Sequence, residues 1–427
     1  LASSLIAGLS ACSLKAPELP PLESLPAAWK NAAGFPVASP DRDLARWWKH
    51  FGDPTLTRII TDGLAHSPDV VSATARVREA RAVRTATAAS LFPFVSGSGS
   101  AANRTVDVRG LPSVSDTTYS AGLDASWEVD LFGRNRSNLA AASAHVGAAA
   151  ENLHSVRASL AAEIASAYTN LRADETRLDV LLRNVATREE TAQLAEWRWE
   201  SGEADALESS QAASSLEQAR AAIPALHQSI AQSRNLLARL CGRQPGGLDS
   251  LLSSGKHRIP DPARRLAVGI PADTIRQRPD VRLAGYQFIS AVARTRSARA
   301  EQFPSLNLSG SVGVTALAPE KLFDPETITT SLVAGLTGPI FDSGRILANI
   351  DASDAVTDQT LQTYRGTVLT ALSEVEDALI ACRRSAERLV SLEKATELAR
   401  ESDELARQRY EAGEIDFLTV LDSQRTL

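Results

Sequence analysis

The chain has 427 residues, with 51 acidic and 45 basic side chains, and a net charge of −6. Hydrophobic residues make up 44% and aromatics 5%, alanine fills 70 positions, and methionine is absent. This balance argues against nucleic acid as the main partner and against disorder, and no apolar run reaches the roughly 20 residues of a membrane-spanning helix. The first expectation is therefore an alanine-rich helical protein. The start at Leu1 and the missing methionine read as a piece of a longer product.

The stretch Leu5 to Ala11 is apolar and small, and it ends at Cys12. Residues 1–12 read as a signal-peptide remnant. Leu9-Ser10-Ala11-Cys12 resembles the bacterial lipoprotein cleavage box, in which the cysteine is lipidated; a buried free cysteine is the plainer alternative. Ser13 follows instead of aspartate, which by that resemblance directs the product to the outer membrane. Residues 13–42, with Pro17, Pro20 and Pro21, suit an extended tether. Cys241 and Cys382 lie far apart in helical patterns and are expected as buried thiols.

Self-similarity organises the rest of the chain. Pro68-Asp69-Val70 returns as Pro279-Asp280-Val281, Phe92-Pro93 as Phe303-Pro304, and Gly133-Arg134 as Gly344-Arg345. Arg198, Glu200 and Gly202-Glu203 return as Arg409, Glu411 and Gly413-Glu414. Each pair is separated by 211 positions (279 − 68 = 211), so the chain is one unit written twice.

Each copy opens with a helix, 69 to about 90 in the first, which closes at the Phe-Pro pair because proline disfavours helix at the residue before it. Strand-like segments follow. Tyr119, Ala121, Leu123, Ala125, Trp127 and Val129 alternate with Ser120, Gly122, Asp124, Ser126 and Glu128, a period of two with one apolar face. Leu306, Leu308, Val312 and Val314 repeat the pattern, and Leu332, Ala334, Leu336 and Ile340 give a weaker strand. Long helices are expected over 134–201 and 345–412, proline-free with one glycine each (Gly147 and Gly366). Leu153, Val156, Leu160, Ile164, Ala167 and Leu171 form an apolar stripe on the first. Such a rod reaches about 100 Å, more than a compact domain uses and enough to cross an aqueous gap. Gly202 and Gly413 end the rods and allow tight reversals into further helices.

Four strands with one apolar face match transmembrane β-strands in length and alternation. Lipid tolerates only closed β-structures, and four strands cannot close alone. Three copies supply twelve strands, with helices forming a tube below; a soluble four-stranded sheet packed on helices is the alternative.

Gln408-Arg409-Tyr410-Glu411-Ala412-Gly413, Leu418-Thr419-Val420-Leu421-Asp422-Ser423-Gln424-Arg425, Arg278-Pro279-Asp280-Val281 and Pro339-Ile340-Phe341-Asp342-Ser343-Gly344-Arg345 carry a family likeness. The chain resembles the lipoprotein branch of the TolC-type outer-membrane efflux factors (OprM-like and NodT-type members) over nearly its whole length. The resemblance implies an α+β membrane protein. A homotrimer forms a 12-stranded outer-membrane β-barrel continuous with a periplasmic α-helical barrel, in a Gram-negative bacterium. Residues 43–66 and 243–277 then form an equatorial segment and linker. Residues 67–242 form the first repeat, with strands about 93–104 and 117–131. Residues 278–427 form the second, with strands about 304–316 and 329–341. The implied function is passive export of small molecules from an inner-membrane pump, usually of the resistance-nodulation-division (RND) type, through a periplasmic adaptor. Alternatives are the duct of a type I protein secretion system, or a periplasmic coiled-coil structural or adaptor lipoprotein.

The resemblance also implies sites. Leu418, Asp422 and Arg425 match a periplasmic aperture, and their i, i+4, i+7 spacing puts them on one helix face; an ordinary surface ion pair is the plainer reading of the two charges. The first copy has Leu207, Gln211 and Ser214 there, so the two hairpins are not equivalent. Arg198, Trp199, Gly202 and Glu203, with Arg409, Tyr410, Gly413 and Glu414, mark helix tips that meet the adaptor, or serve only as caps. Phe92, Pro93, Gly133, Phe303, Pro304 and Gly344 mark helix–strand transitions. No histidine, P-loop or nucleophile-elbow motif is present, so no enzyme, metal or cofactor is expected. The helix after Gly202 runs to about 240, so its image is expected to reach about 451 (240 + 211), roughly 24 residues past Leu427.

Overall fold

A computed structural model describes residues 25–33, 35, 44–107, 109–110, 113–255, 258–261, 271–324 and 328–426. Cys12, the signal remnant and most of the tether segment lie outside them.

A 3-10 turn, Leu44–Phe51, leads into α1 (Pro54–His66). The Asp53 carboxylate caps α1 by accepting from the Thr55 and Leu56 amides at 2.8 and 3.0 Å, with Pro54 at the first helical position, where no amide is needed. Then come α2 (Pro68–Ala89), β1 (Phe94–Val106), β2 (Val114–Val129), α3 (Arg134–Glu200) and α4 (Ala206–Leu240). Two short helices, α5 (Asp249–Ser253) and α6 (Pro271–Gln277), precede α7 (Pro279–Ala300), β3 (Ser305–Ala316), β4 (Ile328–Thr337), α8 (Arg345–Glu411) and α9 (Phe417–Thr426). The duplication holds in three dimensions: α2 and α7, and α3 and α8, both start and end 211 positions apart. α3 and α8 each run 67 residues. No described helix is both long and apolar enough to cross a membrane.

The chain forms two compact units that cut across the two copies, each unit drawing on both. The first combines Ala73–Leu153 with Arg276–Leu369. Small residues let its helices approach closely. Gly147 of α3 lies so near Tyr286 of α7 that a Cβ there would sit 2.7 Å from the ring. Ser290 of α7 donates to the Ala141 carbonyl, and Thr295 to that of Ser353.

This unit carries one antiparallel sheet in the order β1-β2-β3-β4. Its register sorts the two faces. Leu123 stands opposite Gly97 and Val312, Ala125 opposite Val95 and Gly310, and Trp127 opposite Leu308. Leu308 in turn faces Ala334, and Leu306 faces Leu336. The other face holds Ser96–Asp124–Ser311 and Ser100–Ser120–Thr315 rows, with Ser100 and Ser120 hydroxyls 2.8 Å apart and Ser311 and Ser331 at 2.7 Å. Because side chains alternate along a strand, one face is apolar and the other hydroxyl-rich. Leu123, Val312 and Leu332 of the apolar face are exposed in the single chain.

The second unit combines Leu25–Ser72, His154–Ile275 and Thr370–Leu427. Leu56, Ile59 and Ile60 of α1, Ile164 and Leu171 of the α3 stripe and Leu237 of α4 are all essentially inaccessible, and Gly63 of α1 lies so near Ile164 that a Cβ there would sit 2.5 Å from its side chain. Arg172 is fully buried as well. It donates to Glu175 at 2.6 Å and to the Leu252 carbonyl at 2.9 Å, and lies over the Tyr168 ring, whose hydroxyl donates to Asp53 at 2.9 Å. The expectation for the thiols is half corrected. Cys241 is buried at the end of α4, where desolvation pushes its pKa up to about 11. Cys382 is exposed, because the stretch of α8 around it, with Leu389 and Val390, has little of this chain packed on it.

Candidate functional site

The two helix reversals of the second unit are built alike. α3 turns at Gly202 just past its end and α8 at Gly413, with φ of +80° and +74°, values that favour glycine because a Cβ there meets the backbone. In each, the amide after the glycine returns to the carbonyl five residues back: Glu203 to Arg198 at 2.8 Å and Glu414 to Arg409 at 2.9 Å. These bonds satisfy carbonyls that the helix end leaves open. Asp205 then caps α4 by accepting from the Leu207 amide, and Asp416 accepts from the amide and hydroxyl of Thr419 at the start of α9.

The reversals are bolted together. Arg198 of the first lies 4.8 Å over the Tyr410 ring of the second. The Tyr410 hydroxyl donates to Glu208 of α4, and its ring packs on Phe417. Phe417 and Leu421 bury themselves against Ala195 and Ala212. Burial raises the Glu208 carboxyl above its ordinary value, Asp205 adds to that, and Arg198 opposes it. Arg409 pairs with Glu414 at 3.0 Å within its own turn. Trp199, Gly202, Glu203 and Gly413 are exposed.

α9 is two-sided. Phe417, Val420, Leu421 and Gln424 are buried. Leu418, Asp422 and Arg425 share the exposed face, and Asp422 stands 3.5 Å from Arg425. Arg188 of α3 holds this helix from behind, donating to the Gln424 carbonyl at 3.2 Å and to the Ser215 hydroxyl at 2.8 Å. Burial lowers the Arg188 pKa, and the nearby Arg425 charge lowers it further.

In the first unit, the Phe-Pro pairs stand directly before β1 and β3. Gly133 and Gly344 precede α3 and α8 with φ of +82° and +85°. Phe303 stacks on Phe132 at 4.7 Å, and both rings, like Phe92, remain exposed in the single chain. The Trp127 indole donates to the Leu91 carbonyl at 3.1 Å, tying β2 to the end of α2.

Sequence reasoning missed Glu208, Arg188 and Phe132. Glu208 had a signal: it lies three residues after the capping Asp205, the spacing of a capping box. Arg188 and Phe132 had none, since their partners are remote in the sequence and Phe132 itself has no counterpart in the other copy.

Comparison with known proteins places this geometry. The family model described as outer membrane efflux protein matches residues 59–243 and 270–427. The toluene efflux pump outer membrane protein TtgF of Pseudomonas putida is 31% identical, over 100% of this chain and 90% of its own length. The pyoverdine export outer membrane protein OpmQ of Pseudomonas aeruginosa is 32% identical, over 95% and 87%. The solved structure of the outer-membrane channel OprN superposes with a TM-score of 0.89 at 32% identity, covering 96% of this chain and 92% of that one.

Proposed function

The chain belongs to the outer membrane efflux protein family and is an outer-membrane channel of an efflux pump; from that premise we propose that three copies form a passive exit duct joined through a periplasmic adaptor to an RND-type inner-membrane pump. One observation carries the trimer: the four-stranded sheet has an apolar face, a polar face and two open edges. A bilayer tolerates no open edge, so the strands must close with those of other copies, and three copies supply twelve. The apolar face then meets lipid and the hydroxyl face lines the lumen. Cys12 carries the lipid that supplements this anchoring. Leu418, Asp422 and Arg425 form the periplasmic aperture, and the tips around Gly202 and Gly413 receive the adaptor. The duct performs no chemistry of its own. Small molecules are the favoured cargo, by analogy with the toluene pump relative.

Expression of the full-length protein in a Gram-negative host tests this. The expected result is a heat-modifiable trimer in outer-membrane fractions that forms pores in planar bilayers, and its deletion from the native host raises intracellular accumulation of small pump substrates. A monomer that forms no pores would overturn the duct. An export defect confined to a secreted protein would instead favour the type I secretion alternative.

A further inference from the structure

The hydroxyl face of the sheet holds few charges. Among the described residues of β1 to β4, the side chains with its parity that carry charge are Arg104, Asp116, Asp124 and Glu128. Arg104 and Asp116 stand directly opposite each other in register. Glu128 is ion-paired to Arg134 at 2.6 Å. Asp124 is different. It is exposed, its register partners are Ser96 and Ser311, and the side-chain contact the structure gives it is a long one from the Ser98 hydroxyl at 3.5 Å. Its position along β2 also matters. The apolar face of β2 runs from Tyr119 to Val129, beyond which, toward the β1–β2 connection, the same parity turns polar at Asn103 and Thr117. Asp124 lies midway along that apolar stretch, so its carboxylate sits at mid-height of the lipid-facing band, on the opposite face.

We propose that Asp124 sets the charge preference of the exit: repeated by threefold symmetry, it forms a ring of three carboxylates halfway along the barrel lumen that favours small cations over anions. This rests on the trimeric barrel reading above. The physics is that of a charged ring in a low-dielectric wall, which focuses field into the water-filled bore. Twelve strands at ordinary spacing and tilt give a barrel radius of roughly 12 Å. Three unit charges at that distance in water, screened over about 30 Å at 0.01 M salt, favour a monovalent cation over an anion at the axis by roughly tenfold. At 0.15 M, with screening over about 8 Å, the preference shrinks to roughly twofold. Asp124 is thus a second selectivity element, separate from the aperture residues on α9, and it suits a duct whose cargo includes small organic cations.

Reversal potentials in KCl gradients across planar bilayers test this with the full-length trimer. The wild type should prefer potassium over chloride, and more strongly in dilute salt. Asp124→Asn should reduce that ratio by roughly tenfold near 0.01 M and about twofold near 0.15 M. Asp124→Lys should invert it. Asp422→Asn, measured beside them, separates the aperture's share. Asn and Lys variants that migrate as trimers and conduct with wild-type selectivity would overturn the proposal. Variants that fail to assemble leave the wild-type salt dependence as the second reading, and a wild-type ratio that does not change with salt would also overturn it. A wild-type chain that forms no trimer and no pore would instead overturn the barrel, and the ring with it.

Discussion

The guanidinium of Arg198 lies 4.8 Å above the ring of Tyr410, joining the end of α3 to the end of α8. These residues are not images of one another: Arg198 corresponds to Arg409, and Tyr410 to Trp199. The bolt is therefore made once and depends on the copies having diverged. Tyr410 also gives its hydroxyl hydrogen to Glu208. Tyr410→Phe keeps the ring, its stacking under Arg198 and its contact with Phe417, and removes only that hydrogen bond. A half-buried carboxylate that loses a donor costs about 1–2 kcal/mol. Amide hydrogen exchange at the start of α9 should accelerate roughly five- to thirtyfold, with trimer yield unchanged. Exchange at the wild-type rate would show that the hydroxyl holds nothing.

The same carboxylate makes the bolt pH-dependent. Burial, with Asp205, raises the Glu208 pKa in the folded chain above its ordinary value of 4.5. The folded state therefore keeps the proton to higher pH than the unfolded chain does. Its contribution to stability is fullest below 4.5 and declines as pH rises through the raised folded value. After correction for intrinsic exchange, α9 should be better protected near about pH 4.5 than near about pH 7.5. Glu208→Gln should flatten that difference; a persisting difference would place the titrating group elsewhere.

The fold class was legible because its signals are periodic. A constant offset of 211 exposed the duplication, and alternation from Tyr119 to Val129 exposed a two-faced strand. The single glycine of α3 carried meaning too, since a Cβ at Gly147 would meet the Tyr286 ring; at its counterpart in rarity, Gly366, a Cβ would meet nothing within 4 Å among the described residues, so rarity alone does not mark a contact. What escaped is aperiodic and remote. Tyr410 and Glu208 are 202 positions apart, and Phe132 stacks on Phe303 although the position equivalent to Phe132 is Ser343. Cys382 misled because a cysteine in a helical pattern says nothing of which stretches of that helix find neighbours.

Arg172 is the polar residue whose loss should cost the second unit most. It is fully buried, donates to Glu175 and the Leu252 carbonyl, and stacks on Tyr168. Glu175 is itself nearly buried and also pairs with Arg234 at 3.0 Å. Breaking one side of such a pair costs about 3–5 kcal/mol. Arg172→Ala should lower the temperature at which detergent-solubilised trimers dissociate. Arg172→Lys should rescue little, because one ammonium cannot serve a carboxylate and a carbonyl with the guanidinium's fork geometry. A lysine variant as stable as wild type would show that charge alone suffices.

Asp422 should behave in the opposite way, altering conduction without altering stability. It faces Arg425 at 3.5 Å with both side chains mostly exposed, 78% and 57%, and an exposed pair of this kind contributes under about 1 kcal/mol. Asp422→Ala should therefore leave the trimer dissociation temperature within the scatter of repeat measurements. Its effect lies in what remains. Arg425 would lose its counter-charge while still facing Arg188, the side chain that holds α9 against α3 and α4 through Gln424 and Ser215. Unopposed repulsion between the two guanidinium groups weakens that hold, and the proposed aperture loses its threefold set of carboxylates. Single-channel conductance in planar bilayers should rise over wild type. An Asp422→Ala trimer with wild-type conductance would reduce the pair to an ordinary surface contact and remove the exposed face of α9 from the gate.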